Sequence, residues 1–229
     1  MEKNKSSLAH DIITSSGRSA SAVMALREGQ DYFFNTSQTT CISYRMCGSL
    51  VLVFADPIGP PEDIDSCLTE FCRVMRGRGY QVVFYYATSI VRRFALSQGF
   101  RSLVMGTEAL IDTDLFSLQG SDMRVVRNNV AYIRKQKIRF TWNAIDSIST
   151  VLEEQVMSLY RDWLKLRKVP ELRNHLIPFP KKCGGRLLLA YDGENMLGVW
   201  SFFSHRHHDG LMLDLMIRTA ESPRGLTEA

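Results

Sequence analysis

The chain has 229 residues, enough to bury a full hydrophobic core as one large domain or as two small ones side by side. Its 45% hydrophobic and 23% charged residues are the balance of a folded protein and exclude a disordered one. The formal charge is only +4, but it is unevenly placed: residues 121–139 carry six basic side chains against one acidic, and residues 161–186 carry eight against two. Such excess attracts phosphate, in nucleic acid or on an anionic membrane, or it forms ordinary solvated faces, and charge alone leaves these readings open.

No stretch approaches the roughly 18 to 20 apolar residues that span a bilayer, and the polar start at residues 1–7 has no apolar signal region behind it. The expected localisation is therefore the cytoplasm. The five cysteines, Cys41, Cys47, Cys67, Cys72 and Cys183, are odd in number, form no Cys-x-x-Cys pair and sit mostly in apolar patterns, so they read as reduced and structural.

In chain order, residues 21–26 read as a short helix, and residues 31–34 and 41–45 as short strands. Residues 50–54 form an unbroken β-type run stopped by the Asp56-Pro57-Ile58-Gly59-Pro60-Pro61 turn. Asp56 there has the chemistry of a turn or cap residue, because Asp before Pro suits turn geometry by itself. Glu62 and Asp63 then precede Ile64, Cys67, Leu68, Phe71, Cys72 and Met75 at helical spacing, closed by Gly77 and Gly79. Residues 82–86 read as a buried strand, 90–97 as a helix, and 103–105 with 109–112 as further strands.

Ser121 is a suitable cap for a helix whose apolar face is Met123, Val126, Val130 and Ile133, leaving Arg124, Arg127, Arg134 and Lys135 mainly on its other sides. Residues 138–142 form a strand, and Ser147 opens a long helix with a buried stripe of Ile148, Val151, Leu152, Val156, Leu159, Tyr160 and Trp163. Pro170, Pro178, Pro180 and Gly184-Gly185 mark an irregular connector, followed by a three-strand meander over residues 186–191, 196–204 and 211–217. Residues 223–229 read as the start of a helix, so the second half looks cut short. Strands alternating with helices imply an α/β layer architecture with mixed sheets.

Several segments, in order along the chain, form one set. These are Ser16-Gly17-Arg18 with Tyr32-Phe33-Phe34, the Ala55-Asp56-Pro57-Ile58-Gly59 turn, and Phe84-Tyr85-Tyr86. The most specific stretch runs from Gly106-Thr107-Glu108-Ala109 through Phe116-Ser117-Leu118-Gln119-Gly120 to Arg127-Asn128. With Asp162-Trp163-Leu164 and Asp214-Leu215-Met216 followed by Ser222-Pro223-Arg224-Gly225, the set resembles one family, the C-terminal domain of phosphatidylglycerol lysyltransferases (the DUF2156 type), built from two tandem acetyltransferase-type (GNAT) domains. The resemblance implies two tandem GNAT-like domains, residues 1–142 and 143–229, the second incomplete at its C-terminus.

It also implies transfer of an aminoacyl group from aminoacyl-tRNA to the glycerol hydroxyl of phosphatidylglycerol or a related amphiphile, with the protein peripheral to the inner face of the membrane. That reaction calls for an anionic phospholipid headgroup and aminoacyl-tRNA as partners, and for no metal or other cofactor. Asp214 and Arg218 lie four apart on a strand and so share a face with Met216. They are the catalytic candidates, Arg218 for the lipid phosphate or the developing oxyanion and Asp214 for the hydroxyl proton or the donor's amino group. The plainer alternative is a salt bridge on a sheet edge. Arg124, Arg127, Asn128 and Arg224 are the substrate-binding candidates, with Arg134 and Lys135 beside them on the helix.

Two features depart from the family pattern. Ile217 stands where the first of two arginines usually follows Asp-Leu-Met, and residues 171–179 replace a Glu-x-Gly-Phe segment. His205, His207, His208 and Asp209 have metal-ligand chemistry but occupy an expected turn, where neighbouring side chains diverge. Arg224-Gly225 is a faint echo of a coenzyme A pyrophosphate loop, which keeps a coenzyme A-dependent acyltransferase as the alternative enzyme and a non-catalytic remnant as the alternative non-enzyme.

Overall fold

The computed structural model describes residues 2–17, 20–27, 29–167, 184–205 and 210–228. The chain divides into two units, one built on Met1–Ser102 with His175–Gly185 and Phe203–Met212, the other on Leu103–Asn174, Arg186–Phe202 and Leu213–Ala229. Its class is the expected one, α/β with two four-stranded sheets.

In the first unit, helix α1 (Glu2–Ser16) and a 3-10 turn (Ala20–Leu26) precede strands β1 (Asp31–Phe34), β2 (Cys41–Cys47) and β3 (Leu50–Phe54), helix α2 (Pro61–Gly77), strand β4 (Gln81–Tyr85) and helix α3 (Ser89–Ser97). The strands lie in the order β1-β2-β3-β4, with β3 and β4 parallel across the α2 crossover and the other pairs antiparallel. Helix α2 forms because its apolar residues recur at helical spacing, Pro61 pre-sets the first turn, and Glu62 and Asp63 complement the positive end of the helix. It buries Ile64, Leu68, Phe71 and Met75 against Val51, Val53 and Val82 of the sheet.

Gly59 is required at the β3–α2 turn: a Cβ there would lie 2.7 Å from the Thr40 Cα, where the chain crosses the bridge between Cys41 and Ile58. Asp56 has the turn-and-cap role expected of it. Its carboxylate accepts the Thr88 N–H (2.9 Å) and the Thr88 hydroxyl, while Thr88 in turn caps α3 by accepting from Ile90 N–H. Cys41, Cys67 and Cys72 are buried free thiols and Cys47 is a half-buried one, as the sequence suggests; Cys183 lies outside the described residues.

Helix α4 (Arg124–Lys135), strand β5 (Ile138–Ala144), a 3-10 turn (Ile145–Ser147) and helix α5 (Thr150–Arg167) precede β6 (Arg186–Asp192), β7 (Asn195–His205) and β8 (Gly210–Arg218), all in the second unit except the ends of β7 and β8 within 203–212. The sheet order is β5-β6-β7-β8, with β5 antiparallel to β6 over seven residue pairs and a register shift at Ala190/Tyr191 between β6 and β7. Ile133 of α4 packs with Ala190, Trp200 and Leu226 in one buried cluster.

The structure corrects several expectations. Residues 2–16 form α1, whose Ala9, Ile12 and Ile13 pack on Ala22, Ala25 and Ile58, although the polar start gave no helical signal. The strands expected at 103–105 and 109–112 do not form: both segments are irregular and exposed, because β-type side chains make a strand only when a neighbour's backbone pairs with them. Helix α4 begins at Arg124, with Met123 as its cap residue, and Ser121 supplies a backbone carbonyl to Arg124 N–H in a preceding turn. Helix α5 begins at Thr150, and it is the Ser149 hydroxyl that accepts Leu152 N–H; Ser147 sits in the 3-10 turn and Val151 points to solvent at 66% exposure. Residues 224–228 are successive turns and not the first turn of a helix. The proline connector at 170–180, residues 171–179, and the side chains of His205, His207, His208 and Asp209 lie outside the described residues.

Candidate functional site

The second unit gathers the sequence candidates on two elements, α4 and the end of β8. Helix α4 turns Val126, Val130 and Ile133 inward, and Ile133 is buried. The remaining arc is cationic. Arg127, Arg134 and Lys135 line a groove of about 470 Å³ whose apolar parts are Leu118, Val130 and Ala131. Helical spacing places Arg124 and Asn128 on the flank of that groove next to Ala131 and Lys135, and both are exposed.

Arg127 organises the groove wall. Its Nη1 donates to the carbonyl of Leu118 and, at 2.7 Å, to that of Gly120, which fixes the Phe116-Ser117-Leu118-Gln119-Gly120 loop against the helix. Gly120 has φ +89, a conformation in which glycine carries no Cβ penalty. Arg127 is therefore committed in part to its own chain, whereas Arg134 and Lys135, two charges identified on the helix without a groove to place them in, face it directly.

On β8, Asp214 is half-buried and Met216 and Arg218 are exposed on one face, as strand alternation requires. Arg218 Nη1 donates to the Ser222 hydroxyl (3.1 Å), and that hydroxyl donates to the Thr219 carbonyl (2.7 Å), so the guanidinium is held at the strand's end. Ser222 is a partner that sequence spacing did not single out. Ile217, the departure from the family pattern, is 1% exposed and points to the opposite face, into the core. The substitution changes the packed side of the strand and leaves the Asp214 and Arg218 side as it is.

Arg224 is exposed in the C-terminal turn. That turn is seated on α4: Gly225 has φ +85, a Cβ on it would lie 2.7 Å from the Asn129 Cβ, Leu226 is buried, and Asn129 Nδ2 donates to Glu228 Oε1 at 3.1 Å. Asn129 was not legible as a site residue, since nothing in its local spacing announces a contact 99 residues away. Arg218 is thus tied to Ser222, and the turn that follows, with Arg224 exposed in it, is seated on α4 through Gly225, Leu226 and Glu228.

In the first unit, the start of α2 is ill suited to cradling a pyrophosphate. Helix α2 opens with Pro60 and Pro61, which have no N–H, and carries Glu62 and Asp63 in its first turn. Among the described residues, no group of three His, Cys, Asp or Glu side chains is placed to hold a metal ion, and no described helix is long and apolar enough to cross a membrane.

Residues 10–229 match the family model described as phosphatidylglycerol lysyltransferase, C-terminal. The chain is 27% identical over 236 residues to the lysylphosphatidylglycerol biosynthesis bifunctional protein LysX of Rhodococcus jostii, covering 96% of this chain and 21% of that one. It is 30% identical over 98 residues to the phosphatidylglycerol lysyltransferase of Staphylococcus epidermidis, covering 43% of this chain and 12% of the relative. It therefore spans about a fifth or less of the length of these relatives. Among solved structures, L-PGS from Bacillus licheniformis superposes with a TM-score of 0.76 at 17% identity, covering 97% of this chain and 68% of that one. The DUF2156 C-terminal domain from Agrobacterium fabrum gives 0.76 at 19%, covering 98% and 71%.

Proposed function

The chain belongs to the phosphatidylglycerol lysyltransferase C-terminal family, and from that premise we propose that it is an aminoacyltransferase moving an aminoacyl group from aminoacyl-tRNA to phosphatidylglycerol at the membrane surface. The observation that carries the reading is the cation-lined groove on α4, with Arg127, Arg134 and Lys135 around an apolar floor, joined through the C-terminal turn to the Arg218 end of β8. Two anionic substrates must meet in such a reaction, and cations on two linked elements suit that need.

In this reading Arg124, Arg134, Lys135 and the remaining N–H groups of Arg127 neutralise phosphates of the acceptor stem, with Asn128 hydrogen-bonding beside them and Arg224 at the margin. The glycerol hydroxyl attacks the ester carbonyl linking the amino acid to the tRNA. Asp214 takes the hydroxyl proton, and Arg218, held by Ser222, stabilises the lipid phosphate or the oxyanion that develops. As the intermediate collapses, the bond between the acyl carbon and the tRNA ribose oxygen breaks, Asp214 returns its proton to that oxygen, and the aminoacyl ester is left on the lipid. No metal or dissociable cofactor enters these steps. Two tandem acyltransferase domains, expected from the sequence as 1–142 and 143–229, belong to the same proposal, with the break taken at 102/103 because a break at 142/143 would cut β5.

The coenzyme A alternative draws no support from the Pro60-Pro61 start of α2 or from the turns at Arg224-Gly225, neither of which offers a row of backbone N–H groups at a helix start. The test is kinetic. Asp214→Asn and Arg218→Ala should each lower kcat/KM for transfer by about 10²- to 10³-fold while the circular dichroism spectrum stays native. Wild-type kcat/KM in both variants would remove these two residues from the mechanism.

A further inference from the structure

The second unit exposes an apolar segment that no described element covers. Leu103, Leu110 and Leu115 are 80%, 96% and 81% exposed, and Val104, Ile111 and Phe116 are exposed beside them in the sequence. Leu103, Val104, Leu110 and Ile111 belong to the segments expected as strands, and all six residues stand outside any strand or helix. The stretch around 110–116 is shaped and not merely loose: the Asp112 carboxylate accepts Asp114 N–H at 3.0 Å and Leu115 N–H at 3.4 Å, a local turn between Leu110-Ile111 and Leu115-Phe116. Exposed apolar side chains at this density mark a contact surface.

Resting on the transfer reading above, we propose that residues 103–116 insert their apolar side chains into the interface of an anionic bilayer, drawn to its surface by the positive field of α4. Charge complementarity selects this occupant. The apolar segment runs directly into the Leu118–Gly120 loop that Arg127 clasps, and the groove beyond it presents Arg127, Arg134 and Lys135. From 117 to 139 there are six basic residues against one acidic. An apolar insertion flanked by basic residues gains both from burial of hydrocarbon and from the negative surface potential of an anionic leaflet. Glu108, Asp112 and Asp114 lie within the segment and oppose that attraction locally, so the basic helix must supply the electrostatic part.

The experiment uses the full 229-residue chain with vesicles of phosphatidylcholine alone or with about one-third phosphatidylglycerol. The protein should co-sediment with the anionic vesicles. Leu110→Ser/Ile111→Ser should lower the partition coefficient at least about tenfold. Arg134→Glu/Lys135→Glu should abolish the preference for the anionic lipid. The indole fluorescence that Phe116→Trp introduces should be quenched by lipids brominated along the acyl chain.

Binding of the serine variant equal to wild type, or indole fluorescence of the Phe116→Trp variant left unquenched in vesicle-bound protein, would overturn the proposal. So would a concentration-dependent self-association that the serine variant removes without any change in vesicle binding, which would assign the segment to a second copy. Transfer to phosphatidylglycerol dispersed in detergent separates the two readings. Failure of transfer there counts against the enzymatic reading, while normal transfer with unaltered vesicle binding by the serine variant counts against the insertion alone.

Discussion

Ala55 occupies the left-handed region at φ 64 with its side chain fully buried, at the end of β3 where Ala55 N–H donates to the Tyr85 carbonyl. A Cβ in this left-handed conformation costs about 1 kcal/mol. Ala55→Gly should therefore raise the thermal midpoint by about 2 to 4 °C, measured by calorimetry, a gain limited by the added freedom of glycine in the unfolded chain. Gly225→Ala has the opposite sign, since the new methyl would meet the Asn129 side chain at 2.7 Å in a backbone conformation that alanine resists; a loss of about 1 to 3 kcal/mol in urea unfolding is expected. The thiols of Cys41 and Cys67 also carry a signature: burial first, then neighbouring negative groups, pushes both from 9.0 up to about 12. The folded state thus favours the neutral thiol. That stabilisation is fully present below pH 9 and is lost as pH rises from 9 toward 12, so the thermal midpoint should fall across that window, less steeply in Cys41→Ala/Cys67→Ala.

At the scale of elements, the Asp56–Thr88–Ile90 chain of hydrogen bonds fixes the start of α3, and Thr88→Ala should cost about 1 kcal/mol in equilibrium unfolding. Elements whose pattern is local and complete were legible. Helix α2 announced itself by spacing and charge, and β3 by its uninterrupted apolar run. Helix α4 was legible because Val126, Val130 and Ile133 mark its inward face. What failed was what depends on distant partners. Residues 103–112 have strand composition but pair with nothing among the described residues, and α1 is held by contacts to Ala22, Ala25 and Ile58 that its own polar sequence does not foretell. The site divides the same way. Arg124, Arg127, Asp214 and Arg218 could be named from periodicity and family likeness, whereas the Gly225–Asn129 contact and the Ser222 hydroxyl that holds Arg218 required the fold. On α4, Arg134→Ala/Lys135→Ala should weaken tRNA binding and reduce the slope of log affinity against log salt by about 1.5.

Across the molecule, the net charge of +4 conceals a division of labour. The first unit holds a mixed sheet whose crossover helix begins with prolines and carboxylates, unsuited to an anion, while the second carries the basic groove, the Asp214 and Arg218 strand face and the uncovered apolar segment. The residues to which the transfer proposal gives a role therefore all lie in the second unit. Incubation of the protein with phosphatidylglycerol vesicles and a mixture of charged tRNAs, followed by mass analysis of the lipids, tests that proposal most directly. Phosphatidylglycerol heavier by one aminoacyl group, dependent on intact aminoacyl-tRNA, is the predicted result; unchanged lipid in the presence of folded protein that binds both substrates would contradict it.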